Sequence, residues 1–149
     1  MEFETGLQSA ELKEGMNLPD IKRVVMQENI NQYAEASGDF NPIHIDEEFA
    51  RKTLVGGTIA HGMLVLAYIS QLMTDAFGKG WVDSGKLNVR FKAPAYPGDI
   101  LTISGKISRI EKSDDQTLVK CEVLVTNQNG ETVITGETKV GVSNDENSR

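Results

Sequence analysis

The chain has 149 residues, 39% hydrophobic and 25% charged, with a formal net charge of −7 and a sequence pI near 4.8. That length suits one domain with one core, and the composition excludes a disordered chain or a small disulfide scaffold. An acidic field with 15 scattered basic residues argues against nucleic acid as a partner, and a single cysteine, Cys121, excludes an internal disulfide.

Residues 1–10 and 144–149 are polar and patternless, so both are expected to be flexible segments flanking one domain over 11–143. Ile21 to Met26 is a short β-branched stretch that reads as a strand. Glu28 to Ala36 reads as a helix, with Ile30, Tyr33 and Ala34 spaced for one buried face. The Gly38-Asp39 turn follows. After Pro42, Asp46 is placed to cap a short helix through Glu47, Glu48, Phe49 and Ala50. Gly56-Gly57 marks a loop. From Ile59 to Phe77 the chain is apolar on nearly every face, and Met63, Leu64, Leu66, Ile69, Leu72 and Met73 all call for burial. A helix of that kind belongs in the middle of a structure, ended by Gly78 and Gly80. The run Met63 to Phe77 carries Ser70, Gln71, Thr74 and Asp75 and falls short of the ~18 apolar residues of a membrane span. With no membrane segment and no signal peptide legible, the expected compartment is cytoplasmic.

The second half changes period. Leu87, Val89 and Phe91 alternate with Lys86, Asn88, Arg90 and Lys92, the pattern of a half-buried strand. Lys86, Arg90 and Lys92 are also the one local cluster that could hold phosphates. Pro94, Pro97, Gly98 and Asp99 form a turn. Leu101, Ile103 and Ile107 share a strand face, as do Val119, Cys121, Val123 and Val125, and Asn129-Gly130 signals a hairpin into a last strand over Thr132 to Val142. One long helix before a meander of about four strands predicts an α+β layer, an antiparallel sheet wrapped on the helix. Its open edges predict a homodimer.

The chemistry concentrates in Ser37-Gly38-Asp39-Phe40-Asn41-Pro42-Ile43-His44-Ile45-Asp46, where a carboxylate and an imidazole sit five positions apart on a rigid turn. The chain has only two histidines, and the second opens the apolar helix in Ala60-His61-Gly62-Met63. Asp39 and His44 can hydrogen-bond one water between them. Gly62, near a helix N-terminus, offers unpaired amides and close approach to an anion. Each piece also has a plainer meaning: Asp39 as a turn residue, Asn41-Pro42 as a bend, His44 as a histidine satisfied by a carbonyl, His61 as packing behind the site. Cys121 alternates with valines and reads as a small hydrophobe, Trp81 and Tyr96 read as packing at strand ends, and two histidines without a nearby cysteine make no metal site.

Tyr33-Ala34-Glu35-Ala36 leading into that run, Ala60-His61-Gly62-Met63, Arg90-Phe91-Lys92-Ala93-Pro94 and Pro97-Gly98-Asp99 together resemble the MaoC-like (R)-specific enoyl-CoA hydratases of the hot-dog fold, over about residues 12–143. The Gly-Asp-x-Asn-Pro-x-His core is the specific part. The resemblance implies a dimer of hot-dog subunits, or a dimer of such dimers, with the active site at the subunit interface. It implies Asp39 and His44 as the catalytic pair, Gly62 as the oxyanion-hole amide, and Asn41, His61 and Met63 as neighbouring substrate contacts. The implied reaction is reversible hydration of a trans-2-enoyl thioester of coenzyme A or acyl carrier protein, with no cofactor and no metal. Two other readings of the same fold are a non-catalytic module or sensor that binds acyl thioesters and an acyl-CoA thioesterase. A pure binder has no need of both Asp39 and His44.

Overall fold

The β-branched stretch forms strand β1 (Ile21–Val24), and the helical composition after it forms α1 (Gln27–Ser37), with Ile30 and Ala34 buried as the spacing predicts. This computed structural model describes Leu7 and residues 11–144; apart from Leu7 and Asn144, the two end segments expected to be flexible lie outside the described residues. Two short helices follow, α2 (Pro42–Ile45) and α3 (Glu47–Arg51). Asp46 caps α3 by accepting from Phe49 N–H at 3.1 Å, as its position predicts. Helix α2 was legible only as a bend, because a single turn has no periodicity to read.

The long helix α4 (Gly62–Phe77) lies against a five-stranded antiparallel sheet. Val65, Ile69, Leu72, Met73, Ala76 and Phe77 are its buried flank. The sheet supplies Leu101, Ile103 and Ile107 from β3 (Ile100–Lys112) and Val119, Cys121, Val123 and Val125 from β4 (Gln116–Thr126). Strand β5 (Thr132–Ser143) adds Ile134, Thr138 and Val140. Their register pairs like with like: Ile103 opposite Val125, Ile107 opposite Cys121, Val125 opposite Ile134. The Asn129-Gly130 hairpin closes as expected, with Asn127 Oδ1 accepting from the amides of Asn129 and Glu131.

Four expectations are corrected. Strand β2 (Lys86–Phe91) pairs with β5, so the order is β1-β3-β4-β5-β2 and only β3 to β5 form a meander. The chain crosses the end of the sheet through residues 92–99 to reach β3. Gly80 does not end a helix; it lies within a further short helix, α5 (Lys79–Ser84), whose N-cap is Gly78. Trp81, in α5 and not at a strand end, is buried and donates Nε1–H to Ser70 Oγ at 3.0 Å. Finally, α4 is not buried all round: Met63 is 57% exposed and Leu66 half-buried, because one sheet covers one flank only. Among the described residues no helix is long and apolar enough to cross a membrane.

The crossover ties the sheet to the start of α4. Ala60 N–H donates to Ala95 O at 2.8 Å, Lys92 N–H to Val133 O at 2.8 Å, and Tyr96 OH to Val55 O at 2.8 Å. Asp99 is buried and accepts from Tyr96 N–H and from Gln128 Nε2. Register between β2 and β5 depends on close backbone approach at Gly136, where a Cβ would stand 2.4 Å from Asn88 O and 2.9 Å from Val89 Cα. Backbone atoms cannot rotate away as a side chain can, so Gly136→Ala is expected to lose about 1–3 kcal/mol of stability, read by denaturant unfolding. An unchanged midpoint would mean that β2 shifts to accommodate the methyl group at no cost in stability.

Candidate active site

The turn that carries Asp39 and His44 is built by its own polar side chains. Gly38 takes a left-handed φ of +79°, which closes α1 by donating its amide to Ala34 O and turns the chain toward Asp39. Asp39 N–H donates to Ser37 Oγ at 3.2 Å, and Asp39 Oδ1 accepts from Asn41 N–H at 3.2 Å. Asn41 caps α2 by accepting from Ile43 N–H at 3.1 Å, with Pro42 at the first helical position, where its missing N–H costs nothing. One helical turn then returns His44 toward Asp39. His44 Nε2 stands 4.0 Å from Asp39 Oδ2, too far for a direct hydrogen bond and suited to two acceptors that share one water.

His44 Nδ1 lies 2.8 Å from Ile59 O. A carbonyl only accepts, so Nδ1 carries the hydrogen, and in the neutral ring Nε2 is then the acceptor that faces Asp39. The side chain of His44 is 13% exposed and that of Asp39 53% exposed, so the carboxylate is the wetter member. His61 sits behind the pair. Its Nε2 lies 3.0 Å from the Asp39 backbone oxygen, its ring stacks on His44 with centroids 3.9 Å apart and planes 25° apart, and Tyr33 packs on it at 4.8 Å.

Gly62 follows at the first position of α4. The amides of Leu64 and Val65 close onto His61 O, which leaves those of Gly62 and Met63 as the open donors of the helix end. Beside Gly62 lies a cavity of about 330 Å³ walled by Ile59, Val65, Phe91, Val133 and Ile134, with Lys92 at its edge. A larger concavity of about 750 Å³ occupies the outer sheet face among Asp20, Arg90, Lys106, Glu122 and Glu137, away from the pair. The cavity beside Gly62 is the one lined by the start of α4, and it reaches the Asp39–His44 turn through Ile59, whose carbonyl holds His44 Nδ1. Lys86, Arg90 and Lys92 are therefore not one cluster: Arg90 lines the outer concavity and Lys92 the inner one.

Of the three neighbours expected to meet substrate, Met63 presents an exposed side chain, Asn41 commits its side-chain oxygen to the cap of α2, and His61 is 2% exposed. Asp39, His44 and His61 each place a potential metal-ligand atom within 4.8 Å of the others. The ring nitrogens not facing carbonyls are His44 Nε2 and His61 Nδ1. Stacking holds their lone pairs in two nearly parallel planes, which does not suit one ion about 2.0–2.1 Å from both.

Support that no sequence signal announced comes from Gln27, Glu47, Thr58 and Ile59. Gln27 Nε2 donates to His44 O at 2.8 Å, and Thr58 Oγ1 lies 2.7 Å from Gln27 Oε1 and 3.0 Å from Glu47 Oε2. Thr58 N–H also donates to Glu47 Oε2, and this amide, with the hydroxyl, holds the Glu47 carboxyl below its usual range. Ile59 acts through its backbone alone, so its side chain carries no hint of the role.

A family profile described as MaoC like domain matches residues 10–143. The chain is 32% identical over 109 residues to an (R)-specific enoyl-CoA hydratase of Aeromonas caviae, an alignment covering 72% of this chain and 79% of that one. It is 31% identical over 123 residues to a 3-hydroxybutyryl-CoA dehydratase of Methylorubrum extorquens, covering 82% and 76%. The structure superposes on the unliganded R-hydratase PhaJ1 from Pseudomonas aeruginosa with a TM-score of 0.81 at 28% identity, covering 94% of this chain and 88% of that one.

Cys121 lies in the sheet face under α4, and burial pushes its thiol up from an ordinary 9.0 to about 11, against a smaller opposite pull from Thr138. Above pH 9 the unfolded chain loses this proton while the folded chain keeps it. Stability is therefore expected to fall as pH rises from about 9 to about 11, and the extra slope should vanish in Cys121→Val when unfolding is measured across that window. An identical slope in both proteins would show that the thiol is not the group responsible.

Proposed function

The chain belongs to the MaoC-like domain family, and from that premise we propose that it is an (R)-specific enoyl-thioester hydratase, which run in reverse is a 3-hydroxyacyl-thioester dehydratase. The observation that carries this reading is that one residue, His61, separates the Asp39–His44 pair from the open amide end of α4. A conjugated thioester needs both: acceptors for a nucleophilic water and donors for the oxygen that gains charge.

The thioester carbonyl oxygen accepts from Gly62 N–H, which polarises the conjugated system and leaves C3 electrophilic. Water donates one hydrogen to His44 Nε2 and the other to Asp39. As the water oxygen bonds to C3, the pair takes one proton and the C2=C3 electron pair moves to the carbonyl oxygen as an enolate. The enolate collapses, C2 takes the proton back from the pair, and a 3-hydroxyacyl thioester remains. Atoms and electrons balance between water and substrate.

The apolar cavity beside Gly62 takes the acyl chain. His61 serves from behind the surface, and Asn41, itself exposed, serves by capping α2. Met63, which follows Gly62 in the chain, and Phe91, in the cavity wall, are each more than half exposed, and β2 is an open sheet edge. A second copy of the chain is the cover this reading assigns them, with the site near the interface. The names of the relatives favour this hydro-lyase reading over a non-catalytic acyl-thioester binder or a thioesterase.

The test is the loss of enoyl absorbance with crotonyl-CoA and longer enoyl-CoAs. Asp39→Asn and His44→Gln are each expected to lower kcat by about 10²–10⁴-fold. Rates equal to wild type in both would end the assignment; thiol release from saturated acyl-CoA would indicate a thioesterase, and tight binding without turnover a binder.

A second measurement isolates the amide. His61 has φ −59° and ψ 136°, the conformation that a residue before proline adopts, and Gly62 is at the position where helices accept proline. Gly62→Ala and Gly62→Pro both place a Cβ about 2.9 Å from the movable ring of Phe91, but only proline removes the N–H. The proline variant is expected to fall about 10²–10³-fold below the alanine variant in kcat. Equal kcat in the two would show that the amide does not bind the reacting oxygen.

A further inference from the structure

We propose that His61 is a positioning residue that holds both members of the catalytic pair at once, Asp39 through its backbone and His44 through its ring. This rests on the reading of Asp39 and His44 as that pair. His61 is 2% exposed, so it works through its neighbours and does not touch substrate.

Three contacts define what the ring does. Its Nε2 lies 3.0 Å from Asp39 O, and since a carbonyl can only accept, Nε2 bears the hydrogen and donates it. One ring face lies 3.9 Å from the His44 ring at 25°, a stacked arrangement that blocks His44 from swinging inward. Tyr33, from α1, packs at 4.8 Å and 55° and fixes the His61 ring in turn. With Nε2 as the donor, a neutral ring leaves a bare lone pair at Nδ1, and Nδ1 is buried with no hydrogen-bond partner among the described residues. An unsatisfied polar atom in a buried position is retained at a cost, which a purely space-filling phenylalanine or leucine would avoid.

The consequence concerns distance. The His44 ring is held at its Nδ1 edge by Ile59 O and on its face by His61, while the same His61 tethers the main chain that carries the Asp39 carboxylate. His61 is thereby the one side chain that bears on both ends of the 4.0 Å gap between His44 Nε2 and Asp39 Oδ2. Misplacement of about 1 Å in such a pair costs on the order of 10²-fold in rate. The loss falls on kcat, because substrate does not contact His61.

The experiment compares His61→Ala, His61→Phe and His61→Gln in steady-state hydration of crotonyl-CoA, with Asp39→Asn run beside them and thermal melts of each. Phenylalanine keeps the stacking face and loses the donor; glutamine keeps a donor near Nε2 and loses the face. His61→Ala is expected to lose about 10²-fold in kcat with KM within about 2-fold of wild type, and each conservative variant to recover part of that loss. Wild-type kcat in all three His61 variants, with Asp39→Asn inactive, overturns this proposal alone. Raised KM with kcat unchanged overturns it too, since His61 would then bind substrate. Equal kcat losses in all three that follow the drop in melting temperature leave only a structural role and also overturn it. Full activity in Asp39→Asn overturns the parent reading and this one together.

Discussion

Four consecutive residues leading into the long helix, Thr58 to His61, are each bonded to a different part of the molecule, and the site takes its geometry from where that segment is pinned. Thr58 meets Gln27 and Glu47, Ile59 meets Ile43 and His44, Ala60 meets Ala95, and His61 meets Asp39. Most of this segment is buried, so its polar groups must find partners inside the protein. Those partners are the Asp39–His44 turn and the short helices beside it on one side and the crossover through residues 92–99 on the other. Ile59 clamps the turn by its backbone at both ends, since its N–H donates to Ile43 O while its carbonyl accepts from His44 Nδ1. The tautomer of His44 is decided by that second bond.

The segment can act as a fixed reference because α4 cannot retreat from the sheet. Six of its side chains are buried against strands β3 to β5, each large one contributing about 1.5–3 kcal/mol. The open amides at its N-terminus are therefore held in fixed directions by the packing of the helix. The pairing of β2 with β5 adds the wall: it carries Phe91 to Gly62 and leaves Lys92 at the cavity edge.

Much of the candidate site was legible because it is built within single turns. Asn41 reaching Ile43, Asp46 reaching Phe49 and Gly38 reaching Ala34 are contacts between near neighbours, so residue type and spacing specify them. Period-two alternation likewise marked the inward faces of β3 and β4, and all their predicted core residues are buried. What escaped were partnerships between distant residues. Gln27 with His44, Thr58 with Glu47 and His61 with Asp39 join positions 11 to 22 residues apart, and nothing local distinguishes Thr58 from any other threonine. The apolar surplus of α4 was read as complete burial, although a single sheet leaves Met63 and Leu66 at least partly open.

The sequence by itself determined the local parts of the candidate site, a carboxylate and an imidazole on a capped Asn-Pro turn and a glycine amide at a helix start, because short-range hydrogen bonds and backbone restrictions depend on adjacent residues alone. Only the tertiary structure decided which ring nitrogen of His44 faces Asp39, that His61 is shared between the two, and which strand walls the cavity. Those outcomes depend on sheet order and on the packing of a buried segment, where many registers satisfy the same pattern of hydrophobic residues and the chosen one is the register that also satisfies every buried chain N–H and C=O it can reach.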